Sequence, residues 1–281
     1  MNWITISTIY LLMSFGFSLV FGVLRIFHFG YTVTYTLVPY LTWILWKEFK
    51  LNLAISFILM IFLEILFALA FYKGIIKPFF MEEGKLFTFS LLVWIALEEL
   101  INYRYPPTAG VNIPIILISG FMKIGSVEVH NQLLLLIVIC AAFVSAFILF
   151  LLKTKTGLAL RAVSQSKEAA EIVGIDAEKY YVIAMILSVF PPILCFSLIL
   201  PFWEINPYMG FSLLLTSLFI TIVGGLGNLK GTILASFMIG FIYSTMGILV
   251  NPRFMFLAVL IVTIIILILR PRGLISSERV W

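Results

Sequence analysis

The ten residues VGGLGNLKGT, 223 to 232, hold the glycines, the lysine and the threonine from which a phosphate-binding loop is made. That loop requires the order Gly-x-x-x-x-Gly-Lys-Ser/Thr, in which the lysine follows the last glycine to reach the terminal phosphates and the hydroxyl meets magnesium. Here Lys230 precedes Gly231, and the stretch lies between two long apolar runs instead of following a buried strand. The order and the context both argue against nucleotide binding. Gly224, Gly225, Gly227 and Gly231 are better suited to interrupting helices or packing them closely, with freed backbone groups satisfied in protein or in a wet cavity. Catalytic constellations are absent as well: Asp176 is the sole aspartate, His28 and His130 are too far apart for H-E-x-x-H, and no G-x-S-x-G elbow occurs. Cys140 and Cys195 sit singly in apolar runs and read as packing residues.

The ionisable residues that remain within apolar runs are Glu64, Glu98 and Glu99. A carboxylate in hydrocarbon is costly unless it faces a bundle interior, a wet cavity or a partner, so these are the default functional candidates. Glu98 and Glu99 lie near the end of their run, beside Asn102 and Arg104, where interfacial water or local pairing would also satisfy them. Glu64 lies deeper, and a passage or an internal hydrogen bond would each account for it.

The elements that carry these residues are membrane helices. Hydrophobic residues make up 63% of the 281 and charged residues 11%, with a mean hydropathy of +1.17, too apolar for a soluble fold. Apolar runs predict helices at roughly 4–24, 27–46, 51–72, 86–103, 132–152, 181–203, 207–226, 232–250 and 254–269. The expectation is an all-α polytopic membrane protein, a single transmembrane domain over 1–281 with 8 or 9 crossings. The run 27–46, interrupted by Gly30 and Pro39, and the short run 254–269 are the candidates for broken or re-entrant segments. The amino terminus has no basic residue before its apolar run and reads as a first span, not a signal peptide. The stretch 104–131, with IPIILISGF too short to cross, reads as a surface cap or interfacial segment.

The loop 153–180 carries Lys153, Lys155, Arg161, Lys167 and Lys179 and marks the cytoplasmic side. Counting outward over nine crossings places 13 of the 18 basic residues inside, with the amino terminus outside and the carboxyl terminus in the cytoplasm. Within this loop Ser166 is an N-cap, Glu168 sits in a positive first turn and Gly174 fits a left-handed C′ position, defining a short helix. Ala169, Ile172 and Val173 share one face. That face either packs under its own bundle or enters a groove on a soluble partner.

The loop pattern T-x-x-G-x-A-x-R-A followed by A-A-x-x-x-G-I resembles the coupling segment of the inner-membrane permeases of branched-chain amino-acid ABC transporters, carried by Thr154, Gly157, Ala159, Arg161, Ala162, Ala169, Ala170, Gly174 and Ile175. GGLGNLKGTILASFMIG resembles that family's glycine pattern, LILRPRGLI its carboxyl-terminal ending, and SFGFSLVFGVLRIFHFGY its opening. The resemblance implies a permease that pairs with a second permease subunit, homologous or identical, with two ATPase subunits inside and a substrate-binding protein outside. It implies that this chain binds no cofactor, ATP and magnesium belonging to the ATPases, and that the setting is a prokaryotic cytoplasmic membrane. The lipid bilayer is a partner and nucleic acid is not. It assigns ATPase coupling to Gly157, Arg161, Ala169, Ala170, Ile172, Val173 and Gly174. The family's Asn-Phe-Ala-His-Gly is here His28-Phe29-Gly30-Tyr31-Thr32, which makes His28 and Tyr31 pathway candidates beside Glu64, Glu98, Gly224, Gly225 and Gly227. Branched-chain amino acids lead as substrate, with other amino acids, amides or urea open. A self-contained secondary transporter or channel is the alternative, and it leaves the capped loop helix unexplained.

Overall fold

The computed structural model describes residues 3–107, 111–124 and 127–275. Along the chain come α1 (Trp3–Leu24), α2 (Gly30–Trp43), α3 (Leu53–Phe71), α4 (Lys77–Phe79) and α5 (Glu83–Arg104). They are followed by the strands β1 (Phe121–Ile124) and β2 (Val127–His130), then α6 (Asn131–Lys153), α7 (Lys155–Gln165), α8 (Lys167–Ile172) and α9 (Ala177–Ile199). The described chain closes with α10 (Met209–Gly224), α11 (Leu229–Leu249) and α12 (Met255–Leu269). Each of the nine expected apolar segments contains a helix. Residues Arg25 to Phe29 break the first two apart; α2 begins at Gly30, runs through Pro39 without the expected interruption, and is carried on by a π-helical turn at Ile44–Glu48. A π-helical turn at Tyr72–Ile76 carries α3 on into α4.

Among the described residues, six stretches are long and apolar enough to cross a bilayer: Trp3–Leu24, Leu53–Phe79, Asn131–Lys153, Ala177–Phe202, Leu229–Leu249 and Pro252–Leu269. Even the shortest, at 18 residues, reaches about 27 Å at the α-helical rise of ~1.5 Å per residue, close to the thickness of a hydrocarbon core. α10 is a shorter apolar helix, and α5 carries Glu83, Lys85, Glu98, Glu99 and Arg104 toward its two ends. The protein is an all-α, multi-pass membrane protein with a small antiparallel hairpin, β1 paired to β2 with Phe121 opposite His130. Part of the stretch expected as an apolar cap is therefore a strand.

The chain alternates between two compact units, one formed by Met1–Arg25, Leu117–Ala184 and Thr216–Trp281, the other by Ile26–Ile116 and Met185–Leu215. In the first, α1 and α11 pack through small residues. A side chain at Gly240 would overlap Ser7, whose Cα lies 2.6 Å from an added Cβ, and the Thr232 hydroxyl donates to Ser18 Oγ at 2.9 Å. Such close approach is what holds helices together where lipid supplies no hydrophobic drive between them. In the second unit, Gly210 meets the backbone carbonyl of Thr32 with no room for a side chain. α3 there divides into a buried stripe, Ser56, Met60, Glu64, Ala68 and Phe71, and an exposed one that includes Ile55, Ile58, Phe62 and Leu66.

Candidate functional site

Residues of the second unit enclose a small cavity of about 10 Å³, room for roughly one water. Its wall includes His28, Tyr31, Thr34, Phe71 and Ser188. The Gly30 N–H donates to His28 Nδ1 at 3.1 Å, folding the imidazole back over the start of α2. Gly30 is required there: a Cβ would lie 2.7 Å from the Phe71 ring and 2.9 Å from His28 Nδ1. The Tyr31 hydroxyl donates to the Ser188 carbonyl at 2.8 Å, tying α2 to α9 within the unit. Glu64 stands one turn before the cavity-lining Ala68 on the buried stripe of α3. It is fully buried, and neither carboxylate oxygen has a well-formed hydrogen bond. The Thr34 hydroxyl faces it, and its charge reaches the Tyr31 phenol. Thr34 and Tyr31 thus link the carboxyl to the cavity. These groups can offer polar contacts to a small solute or a water. Among them there is no nucleophile paired with a base.

His28 and Tyr31 line the cavity and Glu64 lies beside them in the second unit, whereas Glu98 does not line it. Glu98 accepts from Trp94 Nε1 at 2.8 Å, and the indole is stacked between Phe29, centroids 5.2 Å apart, and Phe211, 4.9 Å apart. Glu99 accepts from Asn102, and Arg104 pairs with Glu48 at 3.2 Å. Local pairing therefore accounts for this end of α5. Thr34 and Ser188 were missed because hydroxyls are common in such helices, and nothing nearby in sequence marks either as facing a cavity.

The glycine stretch belongs to the first unit. Gly225 and Gly227 adopt left-handed φ angles of 104° and 75° between α10 and α11, and Gly224 and Gly231 pack backbone to backbone. The Asn228 side chain caps α11 by accepting the Gly231 N–H at 3.0 Å. Residues 273–275 fill the rest of the turn: the Leu274 N–H donates to the Val223 carbonyl at 2.8 Å and the Ile275 N–H to the Gly224 carbonyl at 3.4 Å, with Gly273 at φ 82° held against Gly225. The glycine stretch and the carboxyl-terminal motif thus form one clasp, and the turn that resembled a phosphate loop is occupied by residues 273–275.

In the loop between α6 and α9, Thr154 caps α7 by accepting the Gly157 N–H at 3.0 Å, and a Cβ at Gly157 would stand 2.5 Å from the Leu151 Cα. Gly157 thus makes the α6–α7 corner and touches its own chain. α7, unexpected from sequence, buries Ala159, Leu160 and Val163 on one face. Ser166 caps α8: its Oγ accepts the Ala169 N–H at 3.1 Å and donates to Glu168 Oε2 at 3.0 Å. The Glu168 carboxyl is held below the usual range, first by its own backbone N–H and then by Ser166, with Lys167 and Arg25 adding to it. At the other end the Ile175 N–H reaches the Ala170 carbonyl at 2.9 Å and the Gly174 N–H that of Glu171 at 3.0 Å, with Gly174 at φ 83°. This is the paired-bond helix ending that a left-handed glycine permits. Ile172 and Val173 are 85% and 72% exposed and Ala169 is exposed too. Ala170, expected on the partner-facing surface, is instead 2% exposed and packs inward. The α8 face open to a partner is therefore Ala169, Ile172 and Val173. Arg161 is half-buried, its Nε without a hydrogen-bond partner.

No solved structure matches the chain. Its relatives include these two. A probable branched-chain amino acid transport permease protein, LivH, of Methanocaldococcus jannaschii is 33% identical over 144 residues, covering 44% of this chain and 45% of the relative. A high-affinity branched-chain amino acid transport system permease protein, LivH, of Salmonella typhimurium is 20% identical over 297 residues, covering 99% of this chain and 95% of the relative. The archaeal match thus spans under half of that protein, whereas the Salmonella one runs nearly end to end. The family model described as branched-chain amino acid transport system, permease component, matches residues 1–268, so the chain belongs to that permease family.

Proposed function

We propose that this chain is the membrane-spanning permease of an ATP-driven ABC importer for branched-chain or related amino acids. It works with a second permease subunit, two ATPases that hold ATP and magnesium, and an extracytoplasmic binding protein. The observation that carries the reading is α8. A helix of six residues, stopped at one end by Ser166 and at the other by Gly174, presents Ile172 and Val173 to solvent in a basic loop. Exposed apolar residues on so short and well-capped an element fit insertion into a groove on a soluble subunit. In this reading the loop and the carboxyl terminus lie in the cytoplasm of a prokaryotic cell and the amino terminus outside, an orientation that the excess of basic residues in the loop supports.

In this scheme the second unit's cavity, with Glu64, Thr34, Tyr31 and His28 around it, belongs to the substrate pathway. Weak polar contacts suit that role, because capture falls to the binding protein and a deep well would slow release. Reconstitution in proteoliposomes with and without the ATPases tests the reading. Uptake is expected only with ATPases, ATP and binding protein together. Uptake by this chain alone, driven by an ion gradient, would instead establish a self-contained secondary transporter.

A further inference from the structure

Arg25 stands at the end of α1, and its backbone turns through a left-handed conformation, φ 55°, that a residue with a side chain adopts only at a cost. Its guanidinium crosses to α7: Nη2 donates to the Ser164 carbonyl at 2.8 Å and to the Gln165 carbonyl at 3.3 Å. Those carbonyls lie in the last turn of α7, where backbone acceptors lack helical partners and a cation is favoured. The next residue, Ser166, is the cap of α8, and the charge of Arg25 also reaches Glu168 in the first turn of α8. One side chain therefore grips the joint between the two loop helices.

From these contacts we propose that Arg25 is a positioning residue, the strut that carries movement of α8 into the transmembrane core. The proposal rests on α8 docking an ATPase. α7 is tethered to α6 at the Gly157 corner, and Arg25 fixes its far end to α1. α1 in turn packs closely against α11, through Gly240 on Ser7 and Thr232 on Ser18. A shift of the α7–α8 joint thus reaches α1 and α11 as well as α6. Without Arg25 the force enters through α6 and the buried face of α7, and the end of α7 loses its charged tie to the end of α1. The strained backbone at Arg25 is consistent with a side chain retained for what it reaches.

The test uses the complete transporter in proteoliposomes, with Arg25→Gln, Arg25→Lys and, as a separate control, Ile172→Asp with Val173→Asp. Arg25→Gln should leave ATPase co-purification intact while transport per ATP hydrolysed falls about tenfold, the scale of losing a charge-assisted hydrogen-bond pair. Arg25→Lys, which keeps the charge but not the fork, should recover part of that loss. The control should detach the ATPases. Detachment by the control with wild-type transport per ATP in Arg25→Gln overturns the strut and leaves the docking reading standing. A control that keeps its ATPases overturns both. Should Arg25→Gln fail to insert, amide exchange over residues 155–174 in Arg25→Lys decides: faster exchange than wild type supports the strut, and unchanged exchange overturns it.

Discussion

Replacing Glu64 with leucine sets stability against transport. The carboxyl is fully buried on α3, and neither oxygen has a well-formed hydrogen bond. Removing a buried ionisable group in favour of an apolar side chain of similar volume commonly stabilises a fold by about 1–4 kcal/mol. With no charged partner left stranded, only the neutral hydroxyl of Thr34 that faces the carboxyl, we expect about 2 kcal/mol, which in a chain of this size raises the melting midpoint by about 4–8 °C. If the carboxyl serves the pathway, uptake should fall at least about tenfold in the same variant, since intramembrane ionisable groups are retained for function. Glu64→Gln, nearly isosteric and still able to hydrogen bond, should insert normally, melt between the two and shift substrate preference or uptake by a smaller factor. The assays are tryptophan-fluorescence melting of purified protein and radiolabelled amino-acid uptake into proteoliposomes with ATPases and binding protein. A rise in stability with unchanged uptake in both variants would reduce Glu64 to packing. A fall in stability for leucine would show that the carboxyl has a structural partner and refute the reasoning from its burial.

Three further outcomes follow from named contacts. Ile172→Asp with Val173→Asp should insert normally yet lose ATPase co-elution on size exclusion, whereas Ala170→Arg would be misleading, because Ala170 is buried and the change would disturb the loop's own packing. Gly174→Val should keep co-elution but weaken substrate-stimulated hydrolysis: nothing lies within 4 Å of an added Cβ, so the effect is the left-handed φ of 83° alone, about 1–2 kcal/mol of local strain. Gly231→Ala should lower the melting midpoint through about 1–3 kcal/mol of overpacking on the Gly224 backbone, while Gly84→Ala in α5, with open space around it, should be neutral or stabilising by up to about 1 kcal/mol.

Composition and run length alone determined that the chain is a helical membrane protein, because the bilayer demands stretches of about twenty apolar residues with their backbone bonds satisfied internally. The ends of α8 were legible for a similar reason: Ser166 and Gly174 act on backbone groups three or four residues away, so the needed information is contiguous. The turn at Gly225 and Gly227 was readable as a conformational demand on glycine, whereas the break before α2 takes its left-handed residue from Arg25 and needs Gly30 for room against Phe71 and His28. Which face of a helix points inward was not. Ala169 and Ala170 are identical in sequence terms, and only packing buries one and exposes the other. The cavity joins Tyr31 to Ser188, 157 positions apart, and the clasp joins Leu274 to Val223, so neither could be seen in a local pattern. The hairpin of β1 and β2 escaped notice because strand pairing depends on a partner's register more than on apolarity. Propensity, capping and hydropathy act over a few residues and are written in order along the chain, whereas burial and polar contact depend on what distant segments bring, and these only tertiary structure decided.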